Sequence, residues 1–139
     1  MKKEDCIFCK IVSGEIPSAT IYENNDFKII LDVAPVSKGH ALIIPREHYD
    51  NIYEMDADTA GKLFALGTAL ARGLRDELKC DGLNVVQNNG EVAGQSVNHF
   101  HMHFVPRYKG DGVSIGTWSP KESDSEELQD LAKNLHKRI

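Results

Sequence analysis

Hydrophobic positions along the 139-residue chain change their period several times, and each change marks an element. Residues 19–23 and 26–31 are short runs rich in β-branched and apolar side chains. Asn24-Asn25 separates them, which predicts a hairpin. Pro35 to Gly39 breaks the pattern, and residues 40–44 then predict a strand stopped by Pro45. In residues 56–79, Leu63, Leu66, Leu70, Leu74 and Leu78 recur at three- and four-residue steps. That spacing predicts the longest helix, with one apolar face. Asp56 or Asp58 offers its N-cap, and Gly82 stands where a left-handed residue would end it.

Residues 83–87 predict a strand, 88–95 a glycine-containing loop, and 96–105 a further strand stopped by Pro106. Residues 109–119 are glycine-rich and irregular. Beyond them, Leu128, Leu131 and Leu135 share one face of a terminal helix, and Ser123 and Glu126 have capping-box spacing at its start. Residues 1–14 read as a short arm ending at Gly14. This order predicts one α+β domain over residues 1–139, with a mostly antiparallel sheet of about five strands and helices on one face.

A formal net charge of −5 argues against binding long nucleic acid, which needs a broad basic surface. A small anion remains compatible with it, because local N–H groups can hold phosphate inside an acidic protein. No apolar run approaches a membrane span. The N-terminus is charged and lacks an apolar signal core, so a cytoplasmic location is expected. In that setting Cys6-Ile7-Phe8-Cys9 reads as a metal or redox pair. Cys80 reads as a small buried hydrophobe, and His136 as a surface residue suited to a helix C-terminus.

Chemistry concentrates in Asn98-His99-Phe100-His101-Met102-His103-Phe104-Val105. On a strand, alternate side chains share a face, so His99, His101 and His103 fall together and Phe100, Met102 and Phe104 turn to the core. Three aligned imidazoles suit two chemistries. They can ligate a metal together, or one neutral ring can attack phosphorus while an acceptor holds its other N–H. The preceding Asn88-Asn89-Gly90-Glu91-Val92-Ala93-Gly94-Gln95-Ser96 is not a Walker loop, since no Gly-Lys-Ser/Thr follows. Its N–H groups and the Ser96 hydroxyl are candidate phosphate donors.

The run from His99 to Val105 fits the pattern His-φ-His-φ-His-φ-φ, with φ apolar. Together with Asn88 to Val97 and Lys38-Gly39-His40-Ala41-Leu42-Ile43-Ile44-Pro45, it resembles the histidine triad (HIT) family over roughly Cys6 to Arg107. The resemblance implies a HIT fold whose sheet continues across a homodimer. It also implies nucleotidyl transfer to His101 and then to water, with a purine nucleotide as substrate and a phosphoramidate-type bond as the leading expectation. Cleavage of dinucleoside polyphosphates, as in the Fhit-like branch, is an alternative. A nucleotide-binding module with incidental turnover and a metalloenzyme with three triad ligands are others.

By the same resemblance, His103 and His40 would line the phosphate site, Asn88 and Ser96 would hydrogen-bond the phosphate, and Gln95 would support the loop. Ser96 would also help protonate the leaving group. Asp32 would hold the ribose hydroxyls, although it also suits a turn near Pro35. Phe8 and Ile11 would wall the base pocket, although both also suit an ordinary core. Cys6, Cys9, His48 and His99 would bind a structural zinc, with no organic cofactor. Residues 107–139 would shape the leaving-group side.

Overall fold

A computed structural model describes residues 3–116 and 118–139. Met1 and Lys2 of the charged arm, and Thr117 of the glycine-rich stretch, lie outside the described residues. The described elements are α1 (Ile7–Val12), β1 (Thr20–Glu23), β2 (Phe27–Leu31), β3 (Ala41–Pro45), α2 (Ala57–Leu78), β4 (Gly82–Val86), β5 (Met102–Arg107) and α3 (Ser125–His136). Short 3₁₀ turns occupy Ile52–Glu54 and Glu91–Ala93. The five strands form one sheet in the order β1-β2-β3-β5-β4, and every neighbouring pair is antiparallel. The α+β expectation with about five strands therefore holds.

Both faces of the sheet are covered, which the sequence reading did not anticipate. On one face α2 buries Leu63, Leu70 and Leu74 against Phe27, Ile29, Ile43, Phe100, Met102 and Phe104. On the other, the expected arm forms α1 and packs Cys6, Phe8, Cys9, Ile11 and Val12 against Ile30, Leu42 and Ile44. Six residues are too few for a periodic signal to stand out, which is why this helix is hidden in the sequence. Its N-cap is a cysteine: Cys6 Sγ accepts from the backbone N–H of Cys9. The buried Lys28 ammonium donates to the Ile11 carbonyl at 3.0 Å, and Arg46 donates to that of Val12 at 2.6 Å, so the sheet holds the end of α1.

Several boundaries differ from expectation. The strand expected at 96–105 covers only Met102–Arg107, because the backbone bends at residues 97–99 and Phe100 N–H bonds the Tyr49 carbonyl instead of a strand. Pro106 lies within β5 rather than stopping it. Lys79, at φ 53°, takes the left-handed position after α2, while Gly82 belongs to β4. Asp56 caps α2, accepting from Thr59 N–H at 2.9 Å. Asp124 caps α3 in place of Ser123, through Glu126 N–H. Cys80 is only half-buried, since it lies beyond the packed part of α2.

One glycine fixes the approach to the site. Gly39 has φ +89°, and a Cβ there would run into the Leu78 side chain and lie 3.3 Å from that of Pro106. The chain can therefore turn between α2 and β5 and enter β3 with His40 aimed into the sheet's other face only without a side chain at 39.

Candidate functional site

The triad alternation survives although β5 is short. His99 and His101 precede the strand, and His103 lies on it, opposite Leu42 of β3 and Val86 of β4. Because carbonyl oxygens only accept, hydrogen bonding fixes how each ring carries its proton. His101 Nδ1 lies 2.8 Å from the His99 carbonyl, so Nδ1 carries the proton and Nε2 keeps its lone pair. The Phe8 ring stands nearly perpendicular to the His101 ring, with centroids 4.8 Å apart, and limits its rotation.

His40 and His103 form a directed chain. Val36 N–H donates to His40 Nδ1 at 3.2 Å, which makes Nδ1 an acceptor and Nε2 the protonated nitrogen. That Nε2–H points to His103 Nδ1 at 2.9 Å, with the Asp32 carboxylate 3.6 Å away. His103 must then carry its own proton on Nε2. Asp32 is also a turn residue, accepting from Ala34 N–H at 2.9 Å. Two neutral imidazoles of opposite role thus stand together. One offers a lone pair and the other an N–H.

Burial is the largest influence on these rings. It holds His101 and His40 below the usual imidazole range, against the raising pull of the His99 carbonyl on the first and of Asp32 on the second. His103 is lowered to about 4 by burial, reinforced by His101 and His40. All three are neutral at pH 7, as a lone-pair nucleophile requires.

The loop beside the triad is held by Gln95, which is buried. Its Oε1 accepts from Gly90 N–H at 2.8 Å, and its Nε2 donates to the carbonyls of Asp50 and Val97 at 2.6 and 2.9 Å. Gly90 and Gly94, both at positive φ, flank the 3₁₀ turn. Asn88 packs its side-chain amide against Gly94, and Ser96 is exposed just beyond.

A second cluster lies behind the first. The ligand atoms of Cys6, Cys9, His48 and His99 all fall within 4.8 Å of one another and could hold a metal ion. His99 Nε2 donates to the Pro45 carbonyl at 2.9 Å, and His48 Nε2 donates to the Asp50 carboxylate at 2.7 Å. Each ring must then present an unprotonated Nδ1, and these two lone pairs face each other at 3.1 Å. Two acceptors at that distance repel unless a cation lies between them. Cys6 Sγ is 3.3 Å from His99 Nδ1, and Cys9 Sγ is 3.3 Å from His48 Nδ1. A tetrahedral ion with bonds of about 2.0–2.3 Å needs ligand separations of roughly 3.3–3.8 Å, close to those present. Burial raises the Cys6 thiol, so a thiolate there also calls for a cation. Asp50, two residues beyond His48, was missed by the sequence reading. A carboxylate behind a ligand histidine is the signal that could have found it.

The His99 residue belongs to both clusters, giving its ring to one and its carbonyl to His101 in the other. Phe8 and Ile11 are buried in the α1 cluster.

The chain is similar to known proteins over most of its length. The family model described as HIT domain matches residues 13–110. "Protein hit" of Bacillus subtilis is 46% identical over 98% of this chain and 95% of its own length. An adenosine 5'-monophosphoramidase of Schizosaccharomyces pombe is 36% identical over 96% of this chain and 98% of its own. Among solved structures, a HIT family member from Bacillus subtilis superposes with a TM-score of 0.93 at 43% identity, covering 98% of both chains. A zinc-bound histidine triad family protein from Mycobacterium smegmatis does so at 0.76 and 36% identity, over 97% of this chain and 98% of that one.

Proposed function

Since the chain belongs to the HIT family, we propose that it is a nucleotide hydrolase working as a purine nucleoside phosphoramidase that releases AMP. The observation that carries the reading is the His101 tautomer: Nδ1–H is tied to the His99 carbonyl and Nε2 is left to attack. Two similar proteins, from Schizosaccharomyces pombe and Saccharomyces cerevisiae, are named adenosine 5'-monophosphoramidases, which supports the substrate class.

In this reading His101 Nε2 bonds to the α-phosphorus as the P–N bond breaks, and the leaving nitrogen takes a proton from the Ser96 hydroxyl. The His103 Nε2–H and Asn88 amide bond the phosphate oxygens, and His40 keeps His103 in its donor form. Water then cleaves the nucleotidyl-histidine: its oxygen bonds to phosphorus as the P–N bond to His101 breaks, and its proton returns to Ser96, restoring neutral His101 and giving AMP. Asp32 accepts from the ribose hydroxyls, Phe8 and Ile11 wall the base, and Gln95 holds the loop in shape.

Three further elements belong to the same proposal. Zinc occupies Cys6, Cys9, His48 and His99 as a structural ion, since four protein ligands leave no open position. A homodimer forms across β4, an edge strand whose exposed Val85 lies near exposed Phe64 of α2. The chain is one cytoplasmic domain with a zinc-tethered arm at 1–14 and a specificity segment at 107–139. Among the described residues, no helix is long and apolar enough to cross a membrane.

The test follows AMP release from adenosine 5'-phosphoramidate and from diadenosine tetraphosphate, using the native protein and His101→Ala. Faster turnover of the phosphoramidate, abolished in the variant, is expected. Preference for the dinucleotide would move the protein to the Fhit-like branch. AMP binding without turnover of either would make it a binding module.

A further inference from the structure

An apolar groove of about 710 Å³ runs along the α2 face of the sheet, on the side away from the histidines. Ile21, Ile29, Leu31, Leu66, Leu70 and Leu78 are among its lining residues. A second apolar surface lies at the end of the chain. In α3, Leu128, Leu131 and Leu135 are 52%, 55% and 50% exposed, and every residue from 118 to 139 is exposed. They stand at i, i+3 and i+7, on one stripe of a 12-residue helix. A helix of that length is marginal in water without something to pack on.

We propose that α3 of one protomer docks in the α2 groove of a second copy. The proposal rests on the homodimer reading above. The dimensions agree: Leu66 to Leu78 spans about 18 Å of α2, and Leu128 to Leu135 needs about 10 Å.

The helix dipoles favour one direction, and Lys38 agrees with it. The groove's end at Leu78 carries Lys38 and Glu77, and beyond its other end lie Asp26 and Asp58, which share Lys62. The first turn of α3 is acidic, with Glu126 and Glu127, and its last is basic, with Lys133 and His136. Docked antiparallel to α2, the acidic turn meets Lys38 and the basic turn meets Asp26 and Asp58. The two helix dipoles then also oppose favourably.

The linker can reach. Arg107 pairs with Asp111, and Tyr108 donates to the Lys38 carbonyl, so the chain is fixed to the sheet up to that point. From Val113 to Ser125 it can extend to about 40 Å. From β5 across two abutting β4 edges to β2 of the second copy is five strand spacings, about 24 Å, and the antiparallel abutment adds about one strand length of 17 Å along the strand direction, giving roughly 30 Å in all.

Two differently tagged full-length chains, both carrying Cys80→Ser, test the proposal when co-expressed. One bears Leu131→Cys and the other Ala69→Cys, and mild oxidation is read on a non-reducing gel. A disulfide joining the two tags is the expected result. A chain bearing both cysteines that closes on itself, with no joining of tags, would show that α3 folds back onto its own groove and would overturn the proposal. Dimers in sedimentation without any cross-link would overturn it and leave the homodimer intact. A monomer in sedimentation would overturn both. In the native background, Leu128→Asp with Leu131→Asp is expected to uncover the groove and raise binding of an apolar dye, with a loss of helical signal no larger than the 12 residues of α3. Unchanged dye binding would count against the docking.

Discussion

Replacing His40 by alanine tests the directed chain that sets the His103 proton. In the native arrangement Val36 N–H bonds His40 Nδ1, and His40 Nε2–H bonds His103 Nδ1. Moving the His103 proton to Nδ1 would set two N–H groups against each other, unless His40 also changed tautomer. That change would turn its Nδ1–H against Val36 N–H. Either way the wrong state forfeits one hydrogen bond and leaves a buried N–H facing another, roughly 1–3 kcal/mol, and the donor tautomer of His103 is favoured about 5- to 150-fold. Alanine at 40 removes that bias, so His103 should populate both tautomers. With the two tautomers about equally populated, turnover should fall by about twofold, through kcat more than KM, because the donor form serves the transition state. Nitrogen-15 NMR of the imidazoles reads the tautomer directly. A His103 that keeps its Nε2 proton in His40→Ala would refute the reasoning, whatever happened to the rate.

Stripping the metal with a chelator should release one equivalent of zinc and lower Tm by about 10 °C, since about 3 kcal/mol shifts a domain of this size by that much. An unchanged Tm in metal-free protein would remove the structural role assigned to Cys6, Cys9, His48 and His99. The pH dependence should have its acid limb below 6.5, because burial holds His101 under the usual imidazole range and His103 at about 4. Folding should follow the same direction. The unfolded chain takes up the His103 proton first, so stability declines as pH falls from about 6.5 to about 4, at roughly 1 kcal/mol per unit. Urea midpoints across that range check this, and a midpoint rising toward pH 4 would contradict it. Gly39→Ala should cost about 2–4 kcal/mol, from its φ of +89° and the overlap with Leu78 and Pro106. Thermal unfolding measures it, and a loss under 1 kcal/mol would show that the turn relaxes.

Long-period features were legible because burial imposes them on many residues together. The leucine repeat located α2, and the alternation of His99, His101 and His103 with Phe100, Met102 and Phe104 separated a core face from a chemical face even where the strand had ended. What escaped was set by single contacts between segments distant in sequence. Nothing in residues 7–12 announces a helix, because α1 owes its place to buried Lys28, Arg46 and the apolar side of β2 and β3. The tautomers of His40 and His99 depend on Val36 N–H and the Pro45 carbonyl, backbone groups that carry no sequence signature.

The sharing of His99 gives the arrangement its logic. Its ring is held between Pro45 and the Cys6, Cys9 and His48 cluster, so its carbonyl is held too, and that carbonyl chooses which nitrogen of His101 stays bare. Phe8 lies between the two cysteines in sequence and stands edge-on against the same His101 ring. The cluster therefore fixes the tautomer of the His101 ring through backbone and its orientation through packing. A cation held there would act on the His101 ring without touching substrate, which would account for a metal-ligand set placed beside a histidine that itself needs no metal.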